Sequence, residues 1–207
     1  MKTRKFLNGL IGIFLLAACA CTKDIINEKL PPITTTGANT FGCYIDGELL
    51  VPKDNLASWT PGTSPVSGIE LLHNSLEGDS KGNLTLIGGN YKDSGGDEIY
   101  IYIYNMNEKG VYLFEEGCIP RGDFSELEVH HAVIRKMGEK NKIYLTYRDS
   151  GSITIIKYDP EKRIYSGTFS FKAVNRDDSN DIIEITEGRF DIDVIRLRKE
   201  FKDKTTF

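Results

Sequence analysis

The sequence predicts an all-β protein whose strands form an antiparallel meander. Most of the chain after residue 38 alternates apolar and polar side chains with a period of two, as expected for half-buried strands. Short segments rich in glycine, asparagine and aspartate separate the alternating stretches, and these residues are typical of tight turns. No window shows a convincing amphipathic helix, although residues 123–130 are compatible with a short helical turn.

The first element is an N-terminal leader, residues 1–18. Three basic residues within the first five precede an apolar run that is too short to remain as a membrane span and is typical of a secretory signal peptide. The run ends in Leu-Ala-Ala followed by Cys19. This ending resembles the lipobox of bacterial lipoproteins, which implies cleavage before Cys19 and acylation of that residue with fatty acids such as palmitate. The mature protein is then expected to be anchored to a membrane by lipid.

Residues 19–38 are predicted to be the acylated cysteine and a flexible tether. The segment is polar, contains two adjacent prolines and three consecutive threonines, and shows no apolar period. A single all-β domain is predicted to occupy residues 39–207. About 170 residues are enough for one domain that buries roughly two thirds of its surface. A long surface loop is predicted within it at residues 58–68.

The strands of this domain follow from the alternation and from the turns between them. In the clearest strand, Glu98–Met106, three isoleucines face one side and three tyrosines face the other. The turn at 107–110 is predicted to form a hairpin with the next strand, and residues 149–151 and 159–162 supply further tight turns. The main predicted strands are Leu84–Gly88, Glu98–Met106, Val111–Phe114, Lys142–Arg148, Ser152–Tyr158, Ile164–Val174 and Ile182–Ile195.

The number of strands limits the possible architectures. About eight to ten antiparallel strands expose their edges unless the sheet closes on itself or packs against a second sheet. We therefore expect the meander to close into either a barrel-like (calycin-like) fold or a two-sheet sandwich. The alternation is compatible with both.

Three segments carry a resemblance to a known group of proteins. Residues 39–52, Asn-Thr-Phe-Gly-Cys-Tyr-Ile-Asp-Gly-Glu-Leu-Leu-Val-Pro, follow the lipobox and the tether, and residues 167–173 and 186–192 form closing strands. These segments resemble small β-rich lipoproteins of Bacteroidetes, a family of unknown function. The resemblance implies an envelope lipoprotein with an all-β domain. It implies no activity, because the shared motifs are turn glycines and core aromatic residues.

The residues after Cys19 bear on where the lipid anchors the protein. Ala20 stands where the enterobacterial retention signal favours aspartate, which indicates the cell outer membrane. Surface display in Bacteroidetes uses acidic residues just after the cysteine, and the pair Lys23 and Asp24 supplies one. The sequence therefore leaves both the periplasmic face and the cell surface open.

The charge of the chain excludes one class of partner. The sequence has 26 Lys and Arg against 30 Asp and Glu, a formal net charge of −4, and removing the three basic residues of the leader moves it to −7. An acidic surface without a basic stripe repels a phosphate backbone. We expect no nucleic-acid partner. The expected partners are the membrane, through the lipid, and a glycan, a small apolar ligand or an envelope protein.

Three cysteines remain once Cys19 carries lipid. Export permits disulfides, and Cys43 and Cys118 are the candidate pair because Cys21 lies in the tether. A bridge closing a loop of about 75 residues would stabilise the fold by about 4 kcal/mol in the chain-entropy model. The alternative is two buried thiols that pack as small apolar residues.

The sequence contains no recognisable catalytic or metal-binding motif. It has no Gly-x-Ser-x-Gly elbow, no phosphate-binding glycine loop and no Cys-x-x-Cys pair. His130 and His131 lie near Cys118 and several acidic residues, but adjacent strand residues point to opposite faces and cannot chelate one ion. Asp191 and Asp193 share a strand face, as they would on any solvent-facing strand. We therefore expect no enzyme activity, no metal and no cofactor.

The candidate ligand-binding residues are the tyrosine row Tyr100, Tyr102 and Tyr104. Alternate strand residues are about 7 Å apart, a spacing that suits stacking on sugar rings or lining a cavity. A barrel would enclose an apolar ligand, and a sandwich would expose a platform for glycans. The alternative is that both faces of this strand are buried. The sequence thus predicts a non-catalytic lipoprotein that binds a small molecule or glycan or, alternatively, a structural or protein-interaction component of a cell-envelope complex.

Overall fold

A computed structural model describes residues 28–56, 64–75, 82–92, 96–118, 128–138 and 141–205. The predicted signal peptide, Cys19, Cys21 and the first part of the predicted helical turn at 123–130 lie outside these residues, as does much of the loop predicted at 58–68. Within them the chain forms eleven strands and one helix. The strands are β1 Thr40–Ile45, β2 Glu48–Leu50, β3 Ile69–Ser75, β4 Gly82–Gly89, β5 Asp97–Met106, β6 Gly110–Leu113, β7 His131–Lys136, β8 Lys142–Leu145, β9 Gly151–Asp159, β10 Ile164–Asn175 and β11 Asp178–Asp193, and the helix is α1 Val194–Thr205.

The described strands belong to one antiparallel sheet that curls into a half-barrel. Neighbouring strands follow the order β2-β1-β11-β10-β8-β7-β5-β4-β3, and β9 pairs with both β10 and β6. The prediction of an all-β, barrel-like fold is confirmed. Across the described residues the strands form a single curled sheet, and the two-sheet sandwich that was the alternative prediction is not formed.

Strand β10 is the point at which the sheet divides. Its first part, from Ile164 to Phe171, pairs with β9, whereas Val174 and Asn175 pair with β8. Strands β8 and β9 therefore share one edge of β10. The predicted turn at 149–151 lies between them and carries the chain from one to the other along that edge.

The hairpin predicted between Glu98–Met106 and Val111–Phe114 is wrong. The turn is present, but β5 pairs with β4 and β7, and β6 pairs with β9. Both edges of β5 are thus already occupied. Near its end, Asn105 adopts a left-handed backbone with φ of 51°, a conformation that Asn tolerates better than most residues and that redirects the chain.

The core lies on the concave side of the sheet. It collects inward-facing residues from several strands, among them Phe41, Ile101, Phe169 and Ile192, all of which are nearly fully buried. Burial of apolar surface stabilises a fold by roughly 25 cal/mol per Å². Gly88 is required where the ring of Phe41 crosses β4, because a Cβ there would lie 2.4 Å from Cε1 of that ring.

Two further segments help to enclose this core. After β2, the N–H of Lys53 donates to the carbonyl of Gly89, and the carbonyl of Lys53 accepts from the N–H of Tyr91, both at 3.0 Å. Helix α1 lies beside β3, the terminal strand, with Val194 buried in the core and Leu197 packed against it. The chain after β2 and the C-terminal helix thus both reach the β3–β4 side of the sheet.

Helix α1 replaces the end of the strand predicted at Ile182–Ile195. Strand β11 ends at Asp193, whose Oδ1 accepts the N–H of Arg196 at 3.0 Å, the contact of a helix N-cap. The apolar residues of α1 recur at spacings of three and four, which is typical of a helix packed on one face. The helical spacing is visible in the sequence, but β11 ends at Asp193 and α1 begins at the next residue. The alternation of the strand therefore obscures the position at which the helix begins.

Candidate functional site

A cleft of about 320 Å³ lies between α1 and the terminal strands of the sheet. We call it the α1 cleft. Its walls come from α1, β3, β4 and the segment before β3, and β3 has no further strand on its outer side within the described residues. Most of its lining is apolar, including Val66, Ile69, Leu71, Ile87, Leu197 and Phe201. Its size falls at the lower end of the range for ligand pockets, about 300–1,000 Å³.

The edge of the α1 cleft carries one charge of each sign. The exposed side chains of Glu70 on β3 and Arg198 on α1 both line it. Tyr91 adds a polar wall: its hydroxyl donates to Oε2 of Glu98 at 2.5 Å, and Arg135 donates to the same carboxylate. Burial, together with the bond to Glu98, raises the pKa of Tyr91, so its phenol stays protonated. The cleft therefore suits a small molecule with an apolar body and a polar or charged end.

The tyrosine row predicted to bind ligand lies on the convex face of the sheet, opposite the main core. Tyr100 and Tyr102 are 2% and 1% exposed and pack with Val133 in a second apolar cluster. Tyr104 is half-buried against that cluster. The row therefore neither lines the interior of the half-barrel nor forms an exposed platform. Its buried state matches the alternative in which both faces of the strand are packed.

The adjacent histidines beside this row point to different sides. Nδ1 of His130 accepts the N–H of Tyr104 at 3.1 Å, and its ring meets Tyr112 edge-on at 5.2 Å. His131 is fully buried, with its ring 5.2 Å from that of Tyr102. Burial lowers the pKa of both histidines, so both rings are neutral near pH 7. No three metal-ligating side chains converge anywhere in the part of the chain that the structure describes.

The candidate disulfide between Cys43 and Cys118 is not formed, and both thiols are free. Cys43 is fully buried in the main core, where burial raises its pKa to about 12. Cys118 is only partly buried and lies near Tyr100, which belongs to the cluster on the convex face. The two thiols therefore lie in different environments, which distance along the sequence alone cannot show.

A hydrogen-bonded aromatic cluster joins β3 to strands β9 and β10. Nδ1 of His73 lies 3.1 Å from the hydroxyl of Tyr165, and Nε2 lies 3.2 Å from the carbonyl of Met106. The ring of Tyr158 meets His73 edge-on at 5.8 Å. A neutral ring fits these partners, since Nε2–H donates to the carbonyl while Nδ1 accepts from the phenol. Burial lowers the pKa of His73 despite its bond to Met106, which supports this assignment.

Residues 28–38, which the sequence places in the tether, lie against the folded domain; we call them the N-terminal strap. The carboxylate of Asp191 on β11 holds the end of the strap through five hydrogen bonds. Three come from the N–H groups of Thr36 at 2.9 Å, Gly37 at 2.7 Å and Ala38 at 3.0 Å, and two from the hydroxyls of Thr34 at 2.6 Å and Thr36 at 3.5 Å. An ion pair of 3.1 Å between Glu28 and Lys53 holds its beginning. The domain therefore begins before residue 39.

The environment of Asp191 differs from the prediction. The sequence predicts that Asp191 and Asp193 share a solvent-facing side of a strand, but the Asp191 side chain is buried. Asp191 is 1% exposed. Burial alone would raise its pKa, but the hydrogen bonds from Thr34 and from the strap amides outweigh burial and lower it. The strap residues are 153 to 157 positions away in the sequence, so no local pattern could have revealed this contact.

Two observations complete the description of the chain. No helix among the described residues combines the length and the apolar character needed to cross a membrane. Comparison with protein-family models, with curated proteins and with solved structures finds no match to this chain. The function is therefore inferred from the leader sequence and from the geometry of the α1 cleft and the strap.

Proposed function

We propose that the protein is a lipoprotein of the outer membrane whose β domain binds a small, largely apolar molecule without transforming it. The α1 cleft is the observation on which the binding proposal depends. The basic start, the short apolar run and the Leu-Ala-Ala ending before Cys19 support the lipid anchor. Acylation of Cys19 would hold the cleft close to the membrane surface.

The lining of the α1 cleft defines the class of ligand. Leu197 and Phe201 of α1 face Ile69 and Leu71 of β3 across a space of about 320 Å³. An apolar body fills such a space favourably, at roughly 25 cal/mol per Å² of apolar surface removed from water. The charged side chain of Arg198 lies at the edge and suits an anionic group at one end of the ligand.

Binding without catalysis is supported by the polar groups of the cleft. Tyr91 donates its proton to Glu98, which is also held by Arg135, and Glu70 and Arg198 are exposed. This arrangement offers no nucleophile held by a neighbouring base within the described lining, which is one common arrangement for covalent catalysis. A protonated, fixed Tyr91 suits recognition of a ligand better than proton transfer.

A small apolar ligand is favoured over a glycan because of the buried tyrosines. Glycan binding would require exposed aromatic faces on which sugar rings stack. Tyr100 and Tyr102 are buried beneath the convex face, and the α1 cleft is lined mainly by aliphatic side chains.

Native mass spectrometry of the acylated protein tests the proposal. We expect an additional mass that leaves on denaturation, and its value would identify the ligand. Val66→Trp adds a large side chain at the cleft wall, where Val66 is 43% exposed, and should reduce the bound fraction about ten-fold or more, as steric loss of about 1.4 kcal/mol or more implies. Val111→Trp on β6, where Val111 is 63% exposed, is the matched control and should retain the mass.

Two results would contradict the proposal. Wild-type protein that carries no additional mass would argue against an occupied cleft, and equal loss of ligand in the Val66→Trp and Val111→Trp proteins would place the ligand elsewhere. The intact mass of the mature N-terminus tests the anchor separately. Cleavage before Cys19 with attached acyl chains is expected, and a Cys19→Ser variant should lose both.

A second candidate function, a protein-interaction component of an envelope complex, is favoured by strand β6. Within the described residues, β6 forms a ladder only with β9, and Val111 and Leu113 are 63% and 58% exposed. An extended segment of a partner protein could add to this edge by strand pairing. Replacing Val111 with Lys should weaken such pairing, because charged residues protect natural sheet edges. Cross-linking from position 113 in cells would test for the partner.

A further inference from the structure

Helix α1 has a charge opposite to that of the rest of the protein. It contains five basic and two acidic residues, whereas the whole chain has a formal net charge of −4. One cation, Arg196, is engaged by the carbonyl of Gly37 and by Glu200 at 3.4 Å, and another, Lys204, is engaged by Asp54 at 2.8 Å. Arg198 lies at the edge of the α1 cleft, and the side chain of Lys199 is exposed.

The outward side of α1 places one cation, Lys199, beside an exposed apolar residue, Ile195. Val194, Leu197 and Phe201 lie toward the core and the α1 cleft. At 100° per residue, Ile195 and Lys199 fall together on the opposite side. Ile195 is 61% exposed and Lys199 is exposed beside it. A helix with an exposed apolar residue among cations is typical of segments that lie on membrane surfaces.

The route of the chain toward Cys19 brings this helix near the anchor. Lys204, near the end of α1, contacts Asp54, and the preceding residue Lys53 pairs with Glu28 at 3.1 Å. The other end of the strap also contacts α1, because the carbonyl of Gly37 accepts a hydrogen bond from Arg196. The chain that leads to Cys19 therefore leaves the described domain beside the C-terminal end of α1.

The distance between the lipid and the domain is limited by chain length. Nine residue steps separate Cys19 from residue 28, and a fully extended chain covers about 3.3–3.6 Å per residue, or about 30 Å in total. The sequence had allowed a tether twice as long, to residue 38. Because the strap is fixed on the domain by Asp191 and Lys53, the domain is held within about one protein diameter of the bilayer.

We propose that α1 docks on the anionic phospholipid headgroups of the membrane that holds the lipid anchor. This inference rests on the anchoring of Cys19 in the proposed function. Each cation near an anionic membrane surface strengthens binding by about five-fold, and a tethered domain samples that surface at high effective concentration.

Lysine footprinting tests this orientation. Acylated protein is reconstituted into vesicles of phosphatidylcholine alone or mixed with phosphatidylglycerol, and amine modification is followed by mass spectrometry. We expect Lys199 to react about five-fold more slowly with phosphatidylglycerol present, with recovery in high salt because screening weakens surface charge interactions. Lys109, exposed in the turn between β5 and β6, should react equally in both vesicles.

A pair of matched variants separates docking by α1 from a general charge effect. Ile195→Glu and Val111→Glu each place a carboxylate at a site whose apolar residue is about equally exposed, 61% and 63%. Protection of Lys199 should be lost in Ile195→Glu and retained in Val111→Glu. Equal reactivity of Lys199 in both vesicle types, or equal loss in both variants, overturns the docking proposal alone. Absence of acyl chains on Cys19 overturns the anchor and the docking proposal together.

Discussion

Replacing Asp191 with Asn tests whether one buried carboxylate fixes the N-terminal strap to the domain. The change preserves the size of the side chain but converts one oxygen into an amide nitrogen that cannot accept a hydrogen bond. Three strap N–H groups and the hydroxyl of Thr34 point at the two oxygens at distances between 2.6 and 3.0 Å. In the variant, at least one of these donors faces the NH2 group of the asparagine, which is itself a donor and cannot accept a hydrogen bond.

The expected loss in the free energy of unfolding is about 2–4 kcal/mol. A hydrogen bond to a charged group contributes about 1.5–3 kcal/mol, and leaving a buried donor unpaired costs about 1–3 kcal/mol. The amide oxygen still accepts from the donors on its own side. The loss is therefore smaller than the sum over all five bonds.

The pH dependence provides a second, independent measure of the same contact. Folding lowers the pKa of Asp191, so the stabilisation is fully present above the unfolded pKa of about 3.9. It is lost as the pH falls through the lower folded value. The asparagine variant has no such titration. We expect the gap in stability between the wild type and Asp191→Asn to narrow below about pH 4.

Urea denaturation at neutral and acid pH measures both effects. Asp193→Asn is the matched control, because it makes the same change two residues away on the same strand. Asn is as good an N-cap as Asp, so this control should lose less than about 1 kcal/mol, mainly from charge at the helix terminus. Equal midpoints for the two variants at neutral pH, or a constant gap into acid, would refute the assignment of Asp191.

Three further substitutions test the packing of the sheet. His73→Phe should cost about 1–2 kcal/mol through the loss of its hydrogen bonds. Folding lowers the pKa of His73, so below about pH 6.5 protonation favours the unfolded chain, and the variant should lose less stability there than the wild type. An unchanged pH slope of the melting temperature would contradict this. Tyr102→Ala should cost about 3–5 kcal/mol in urea denaturation, and a loss under about 1 kcal/mol would mean that the ring is not core. Gly88→Ala should cost about 1–3 kcal/mol by displacing Phe41. Gly110→Ala should not, because no atom lies within 4 Å of the new Cβ. Similar losses for both variants would contradict a steric clash with Phe41 as the cause.

The N-terminal strap shortens the tether that the sequence predicts. Composition assigns residues 28–38 to the tether, because the segment has no apolar period and contains two prolines. Its backbone amides are instead satisfied by a side chain of β11. A segment can therefore be polar and still be ordered when a buried carboxylate collects its donors, since buried polar groups require partners.

The alternation of the sequence determined the fold class and the two faces of individual strands. In Glu98–Met106, isoleucines and tyrosines alternate, and the isoleucines enter the main core while Tyr100 and Tyr102 enter the second cluster. This assignment needs no knowledge of the neighbouring strands, because successive strand residues always point to opposite sides. The same local logic located most turns. The leader and acylation at Cys19 stay predictions of the sequence.

Only the tertiary structure decided which strands pair, that the two cysteines stay unpaired and where a cleft forms. Two long-range contacts, the pairing of β6 with β9 and the capture of the strap by Asp191, join residues that are distant in the sequence. Cys43 and Cys118, by contrast, are not joined. The α1 cleft likewise exists only because a C-terminal helix comes to lie beside β3. Alternation fixes the face of a strand through the local geometry of the backbone, but contacts between elements depend on how the whole sheet curls to bury its core.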